Sequence, residues 1–392
     1  MRKVYASCVP DVLSLEALSV LQLCANGPLF PNLKGLSLWG ICGLSVPFIL
    51  LFLSRGVTSI HLSFGFDLPE EMVASVVSTI PTLCPILQVI VLDFLPRDPM
   101  ITAAVSGMIL ATNRTALRKF HVGFPLTEEA SEVVHKLPNL RNLTVVTGEE
   151  SSLPQASLPN LTGLAIICYN EDGWPQLFHG ATFGKLESVK FFPKSKKIGD
   201  FLAAFERAAL SSSVQNTLSE FHITTDYSWN PTYLSLLPFT QLVDLYIGFS
   251  CRNGCSSTVD DNIVISLSRA MPRLNTLRLG HSPCQEPTIG VTAKGLMALA
   301  LHCPSLSTLC VHFQVASLSA PQGNPGTSRN TEPTGSWTDC ALEGLVVGDT
   351  LVPEESAFAV ALTLLQIFPQ IESIDFFDEG WRRVEEAIYL FK

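Results

Sequence analysis

One spaced trio of aliphatic residues returns thirteen times along this chain, and it limits the possible folds more than any other feature. The pattern is L-x-x-L-x-L, with Leu, Ile, Val or Phe at the three apolar positions. It opens with Leu33/Leu36/Leu38, Val57/Ile60/Leu62, Leu87/Ile90/Leu92, Leu117/Phe120/Val122, Leu140/Leu143/Val145 and Leu161/Leu164/Ile166. It continues with Leu186/Val189/Phe191, Leu218/Phe221/Ile223, Leu242/Leu245/Ile247, Leu274/Leu277/Leu279, Leu306/Leu309/Val311, Leu342/Leu345/Val347 and Ile371/Ile374/Phe376. The last two anchors are two residues apart, so a strand sends both to one face. The first anchor sits at the turn into that strand. A single strand cannot bury such a face, but many stacked in parallel make a continuous core.

The mean interval is about 28 residues, within the range of leucine-rich repeats, although single intervals run from 21 to 36. A proline precedes the first anchor by two residues at Pro31, Pro85, Pro138, Pro159, Pro272, Pro304 and Pro369. Proline disfavours helix just before it and gives no ladder donor, so it marks the passage from helix to strand. Helix-period apolar spacing between the trios predicts helices over 70–79, 127–136, 198–210, 260–271, 292–302 and 353–367. The fold class expected is α/β: a leucine-rich-repeat solenoid of about 13 irregular repeats. A curved parallel sheet would line its concave side, with helices and loops on the convex side. Residues 1–27 read as a lead-in, 28–377 as the solenoid and 378–392 as a C-terminal capping helix. The stretch 317–338, rich in Ser, Pro, Gly, Thr and Asn, reads as a mobile insert.

Composition removes several functions. Net charge is −10, which opposes binding driven by phosphate neutralisation, so no nucleic-acid partner is expected. The 11 cysteines are odd in number and scattered, as expected of buried apolar residues in a reducing compartment. Cys251 and Cys255 are close together but lack a second ligand pair, so no metal is expected. The segment 36–53 is the most apolar, but Gly40, Gly43 and Pro47 interrupt it. It reads as a strand, a turn and a core helix rather than a membrane span. No secretory leader is evident, and the expected location is cytoplasmic or nuclear. The glycosylation-like triplets at Asn113, Asn142 and Asn160 are read as chance matches. There is no G-x-S-x-G elbow, phosphate-cradling glycine loop or H-E-x-x-H, so neither an enzyme nor a bound cofactor is expected.

The block Gly290-Val291-Thr292-Ala293-Lys294-Gly295-Leu296, running on through His302-Cys303-Pro304-Ser305-Leu306, resembles the leucine-rich repeats of F-box substrate receptors. Leu15-Glu16-Ala17-Leu18 followed by Pro28-Leu29-Phe30-Pro31-Asn32-Leu33 is similar to the region after the F-box in fungal, mushroom-type F-box-like families. The resemblance implies a non-catalytic arm that holds a protein substrate on its concave face for a ubiquitin ligase. Two departures stand out. The Asn or Cys ladder of such repeats is replaced by Ile41, Gly65, Leu95, Pro125, Gly148, Tyr169 and Ser282, and no F-box precedes the first trio. The chain therefore reads as truncated or F-box-less, and a Skp1/cullin-type scaffold would join it only through an F-box supplied upstream. The alternatives are a scaffold unrelated to ubiquitin, of GTPase-regulating or mitotic-exit type, and a membrane-associated repeat protein using 36–53.

Residues between the inward anchors should face the concave side. There the charged and aromatic stretch Lys190, Glu220, His222, Asp244, Tyr246 and Arg278 is the expected partner-binding patch. His61, His121 and His222 occupy one column, two and four repeats apart, too far for a common coordination sphere.

Overall fold

The computed structural model describes residues 3–7, 20, 28–43, 46–65, 68–93, 98–123, 125–147, 157–168, 178, 182–193, 198–225, 233–249, 259–280, 290–312, 314–319, 340–348, 351–376 and 379–392. The chain forms two compact units, Met1–Leu186 and Glu187–Lys392. Each is α/β, with parallel strands stacked in chain order.

In the first unit the strands are β1 (Lys3–Ser7), β2 (Gly35–Ile41), β3 (Ser59–Phe64), β4 (Val89–Asp93), β5 (Lys119–Val122), β6 (Asn142–Thr147) and β8 (Gly163–Cys168). A separate two-stranded parallel pair joins β7 (Ser157–Leu158) to β9 (Thr182–Phe183). In the second unit they are β10 (Ser188–Pro193), β11 (Glu220–Thr225), β12 (Asp244–Phe249), β13 (Thr276–Leu279), β14 (Thr308–Cys310), β15 (Gly344–Gly348) and β16 (Ser373–Phe376).

Strand register follows the trios. Leu36, Ile60, Ile90, Phe120, Leu143 and Leu164 stand opposite one another across the first sheet. Val189, Phe221, Leu245, Leu277, Leu309, Leu345 and Ile374 do so across the second. Of the thirty-nine anchors only Phe376 escapes full burial. In the second unit Phe191, Phe205, Phe221 and Phe239 interlock, with ring centroids 5.4 to 5.8 Å apart. Such contacts add to the stabilisation from burial itself.

Successive rungs are joined by one repeated main-chain device. The carbonyl of the residue just before a strand accepts two amide hydrogens from the next rung. Lys34 O accepts from Thr58 N and Ser59 N at 2.9 and 3.1 Å. Thr58, Gln88, Arg118 and Arg141 repeat the joint in the first unit. Glu187, Ser219, Val243, Asn275, Ser307 and Glu343 repeat it in the second. The hydroxyls of Thr58, Thr162, Ser219, Ser307 and Ser373 also donate to these carbonyls, but the paired amide bonds do not depend on residue type, so the irregular intervals and the missing ladder residues do not disturb stacking.

Helices connect the strands where intervals are long. They are α1 (Val46–Phe52), α2 (Glu70–Leu83), α3 (Pro99–Ala111) and α4 (Glu128–His135) in the first unit. The second has α5 (Ile198–Ser211), α6 (Asp261–Ala270), α7 (Ala293–His302), α8 (Val315–Ser319), α9 (Ala357–Ile367) and α10 (Glu379–Phe391). Asp98, Thr127, Asp260 and Thr292 cap α3, α4, α6 and α7 with side-chain oxygens. The short intervals before Leu140 and Leu161 differ. The first still fits α4, because eight residues suffice for two turns, whereas the second carries strand β7 and a turn.

Several expected boundaries shift. The sheet takes in Lys3–Ser7, within the segment read as a lead-in. Segment 36–53 is β2 followed by the seven-residue α1, and among the described residues no helix is long and apolar enough to cross a membrane. Ser317–Ser319, read as the start of the insert, completes α8, because Val315 and Leu318 one turn apart bury against the unit. The rest of that insert, and Cys251 and Cys255, lie outside the described residues.

Candidate functional site

The side chains alternating with the anchors form the open face of each sheet. In the second unit the six expected residues gather on one grid. Lys190, His222, Tyr246 and Arg278 stand side by side on β10, β11, β12 and β13. At about 4.8 Å per strand this row spans roughly 14 Å. Glu220 and Asp244 lie in the row two residues earlier, where Glu220 accepts a 2.8 Å hydrogen bond from Ser188 Oγ. Two adjacent carboxylates thus lie beside a row that carries two cations.

Burial and the neighbouring Lys190 depress the basicity of His222, with Arg278 adding to this and Glu220 and Asp244 opposing it. Burial holds the Tyr246 hydroxyl above its ordinary value, while Arg278 and a hydrogen bond with Thr224 pull it down. The Tyr246 ring lies along its own strand over Gly248, where an added Cβ would come within 2.8 Å of Cε1. His222 stacks at a tilt, 5.7 Å from it. Tyr246 is therefore fixed between Thr224 and Gly248 rather than free to rotate, which lowers the ordering cost when a partner lands on it. Phe192, exposed on the same face of β10, extends the patch.

The first unit contains a grouping that the column of histidines does not reveal. Asp93, one residue beyond the last anchor of β4, lies between His61 on β3 and His121 on β5. His61 Nε2 donates to Oδ2 at 2.7 Å and His121 Nε2 to Oδ1 at 2.6 Å. Burial pushes the Asp93 carboxyl up. The hydrogen bonds and charges of His121 and His61 outweigh that, so it sits below its ordinary value. Beside it, Trp39 packs 4.0 Å from the His61 ring. Gly40, at φ 62°, allows the bulge that follows Trp39 and leaves this indole 42% exposed.

The sequence reading separates the three histidines by repeat distance. His61 and His121 remain two strands apart, and what the spacing does not show is that the strand between them carries Asp93, whose carboxylate reaches both. Trp39, Asp93, Phe192 and Thr224 all occupy the position just after a last anchor. The strand continues there, and period-two alternation would have placed them on the open face. Among the described residues no group of His, Cys, Asp and Glu could hold a metal ion. The chain matches no protein-family model and no curated protein.

Proposed function

We propose that this chain is a leucine-rich-repeat solenoid that binds a protein partner on the open face of its parallel sheet, with no chemistry of its own. One observation carries the reading: Lys190, His222, Tyr246 and Arg278 stand in a single cross-strand row flanked by Glu220 and Asp244. Tyr and Arg are the residue types that most often dominate binding energy. Both rest on a rigid element, since Leu245 and Leu277 beneath them are fully buried. By its resemblance to F-box receptors, the partner is a substrate presented to a ubiquitin ligase.

The test is affinity capture with the full chain and a Tyr246→Ala/Arg278→Ala variant. Each truncation of a central contact costs about 2 kcal/mol, or roughly thirtyfold in Kd. The variant should lose the proteins that the parent retains, and equal recovery by both would overturn the assignment of this surface. Ligase-scaffold subunits should appear in the capture when an F-box is fused upstream. Their absence would remove the ubiquitin part of the proposal alone.

A further inference from the structure

The open face of the first unit holds a second, chemically distinct feature. We infer that Trp39, His61, Asp93 and His121 form a docking site for a lysine or arginine side chain of a protein partner. This rests on reading the open face as a protein-binding surface, and it specifies the chemistry of one contact.

The argument starts from proton placement. An imidazole nitrogen hydrogen-bonded to a carboxylate must donate, so Nε2 of His61 and Nε2 of His121 each carry a proton. In the neutral ring the other nitrogen, Nδ1, is then an acceptor. Neither Nδ1 has a hydrogen-bond partner among the described residues. A carboxylate has about four lone-pair positions, and two are used here. With both rings neutral, the His61–Asp93–His121 group therefore presents one negative charge, unused acceptors on three strands and no unused polar hydrogen of its own.

Trp39 adds the indole face beside His61, the best ring surface for a cation. Val91, buried between the two histidines, forms an apolar floor suited to an alkyl stem. A side chain that combines an aliphatic stem with a cationic, donor-only head satisfies all of these at once. Among the described residues of β2–β5, the other charged group on this face is Lys119, two residues before His121 on β5. It repels a cation from that end and so directs it toward Trp39. The net charge of −10 favours a basic partner at longer range.

The rival reading is an internal brace across three strands, which binds nothing. An acetylated peptide of alternating arginine and alanine separates the two. It is titrated into the full chain at mildly alkaline pH and read by side-chain NMR of the histidines and by calorimetry. A matched peptide with citrulline for arginine keeps shape and removes charge. The arginine peptide should bind and shift both histidine signals, and the citrulline peptide should not. Trp39→Ala, at an exposed position, should weaken binding about two- to fivefold, as expected for a surface cation–π contact of about 0.5–1 kcal/mol. Asp93→Asn should weaken it about tenfold or more, the scale of a charge-assisted hydrogen bond.

No binding by the parent, or equal binding by the parent and Trp39→Ala, overturns the inference. If capture still depends on Tyr246 and Arg278 while the arginine peptide fails to bind, only this inference falls. If the peptide binds through Trp39 and Asp93 while those substitutions change nothing, the second-unit surface falls and this one stands.

Discussion

His135 ends α4 with its side chain only 3% exposed, and neither ring nitrogen has a hydrogen-bond partner among the described residues. A charged imidazole at a helix C-terminus is ordinarily favoured by the helix dipole, but here burial dominates. It pushes the imidazole from its ordinary 6.5 down to about 4, with Glu132 pulling up and Lys136 pushing further down. The folded protein thus refuses a proton that the unfolded chain accepts between those values. The unfolded state binds more protons in that window, so stability is complete above about pH 6.5 and declines as pH falls toward about 4. At about 1.4 kcal/mol per pH unit the loss comes to about 3 kcal/mol. Urea unfolding of the parent and of His135→Leu, at about pH 7.5 and about pH 4, isolates this contribution from the carboxylates that both proteins share. The parent should lose about 3 kcal/mol more than the variant across the interval. At the higher pH the variant should be at least as stable, because leucine leaves no orphaned nitrogen. Equal pH dependence in the two proteins would refute the reasoning, since it would mean that the ring finds solvent or a partner.

Other substitutions test other parts of the structure. Tyr233 is buried, burial raises its hydroxyl far above the ordinary value, and its oxygen has no partner among the described residues, so Tyr233→Phe should raise stability by about 1 kcal/mol in thermal unfolding. Trp381 on α10 is fully buried, and Trp381→Ala should cost about 3–5 kcal/mol in urea unfolding if that helix closes the second unit. Gly40→Ala forces a left-handed backbone on a residue with a Cβ, at about 1–2 kcal/mol, and should also raise the solvent quenching of Trp39 as the bulge rearranges.

The sheet was legible because each trio shows its period directly. Leu36, Ile60 and Ile90 fall opposite one another as the shared spacing demands. The row from Lys190 to Arg278 was legible for the same reason. Strand β1 was hidden because Lys3–Ser7 has neither a full trio nor a proline ahead of it. Helix α3 was hidden because PMITAAVSGMILA is apolar on every side, leaving only the Asp98-Pro99 start to announce it. The Asp93 cluster was invisible for a different reason. Equivalent positions in successive repeats define a column, whereas Asp93 is offset by one anchor step and joins two members of that column from the side. Which side chains span neighbouring strands depends on reach and rotamer, and spacing does not encode these.

The carbonyl joints between rungs have a mechanical corollary. Within each unit every strand is fastened to the next by a few main-chain bonds and its own share of core, so neither unit has a single latch. Stretched from its ends, such a chain should yield as a staircase of extensions. A coil of about 28 residues releases roughly 90–100 Å of slack at about 3.4 Å per residue, and the longest interval, 36 residues ahead of Leu342, should give the tallest step.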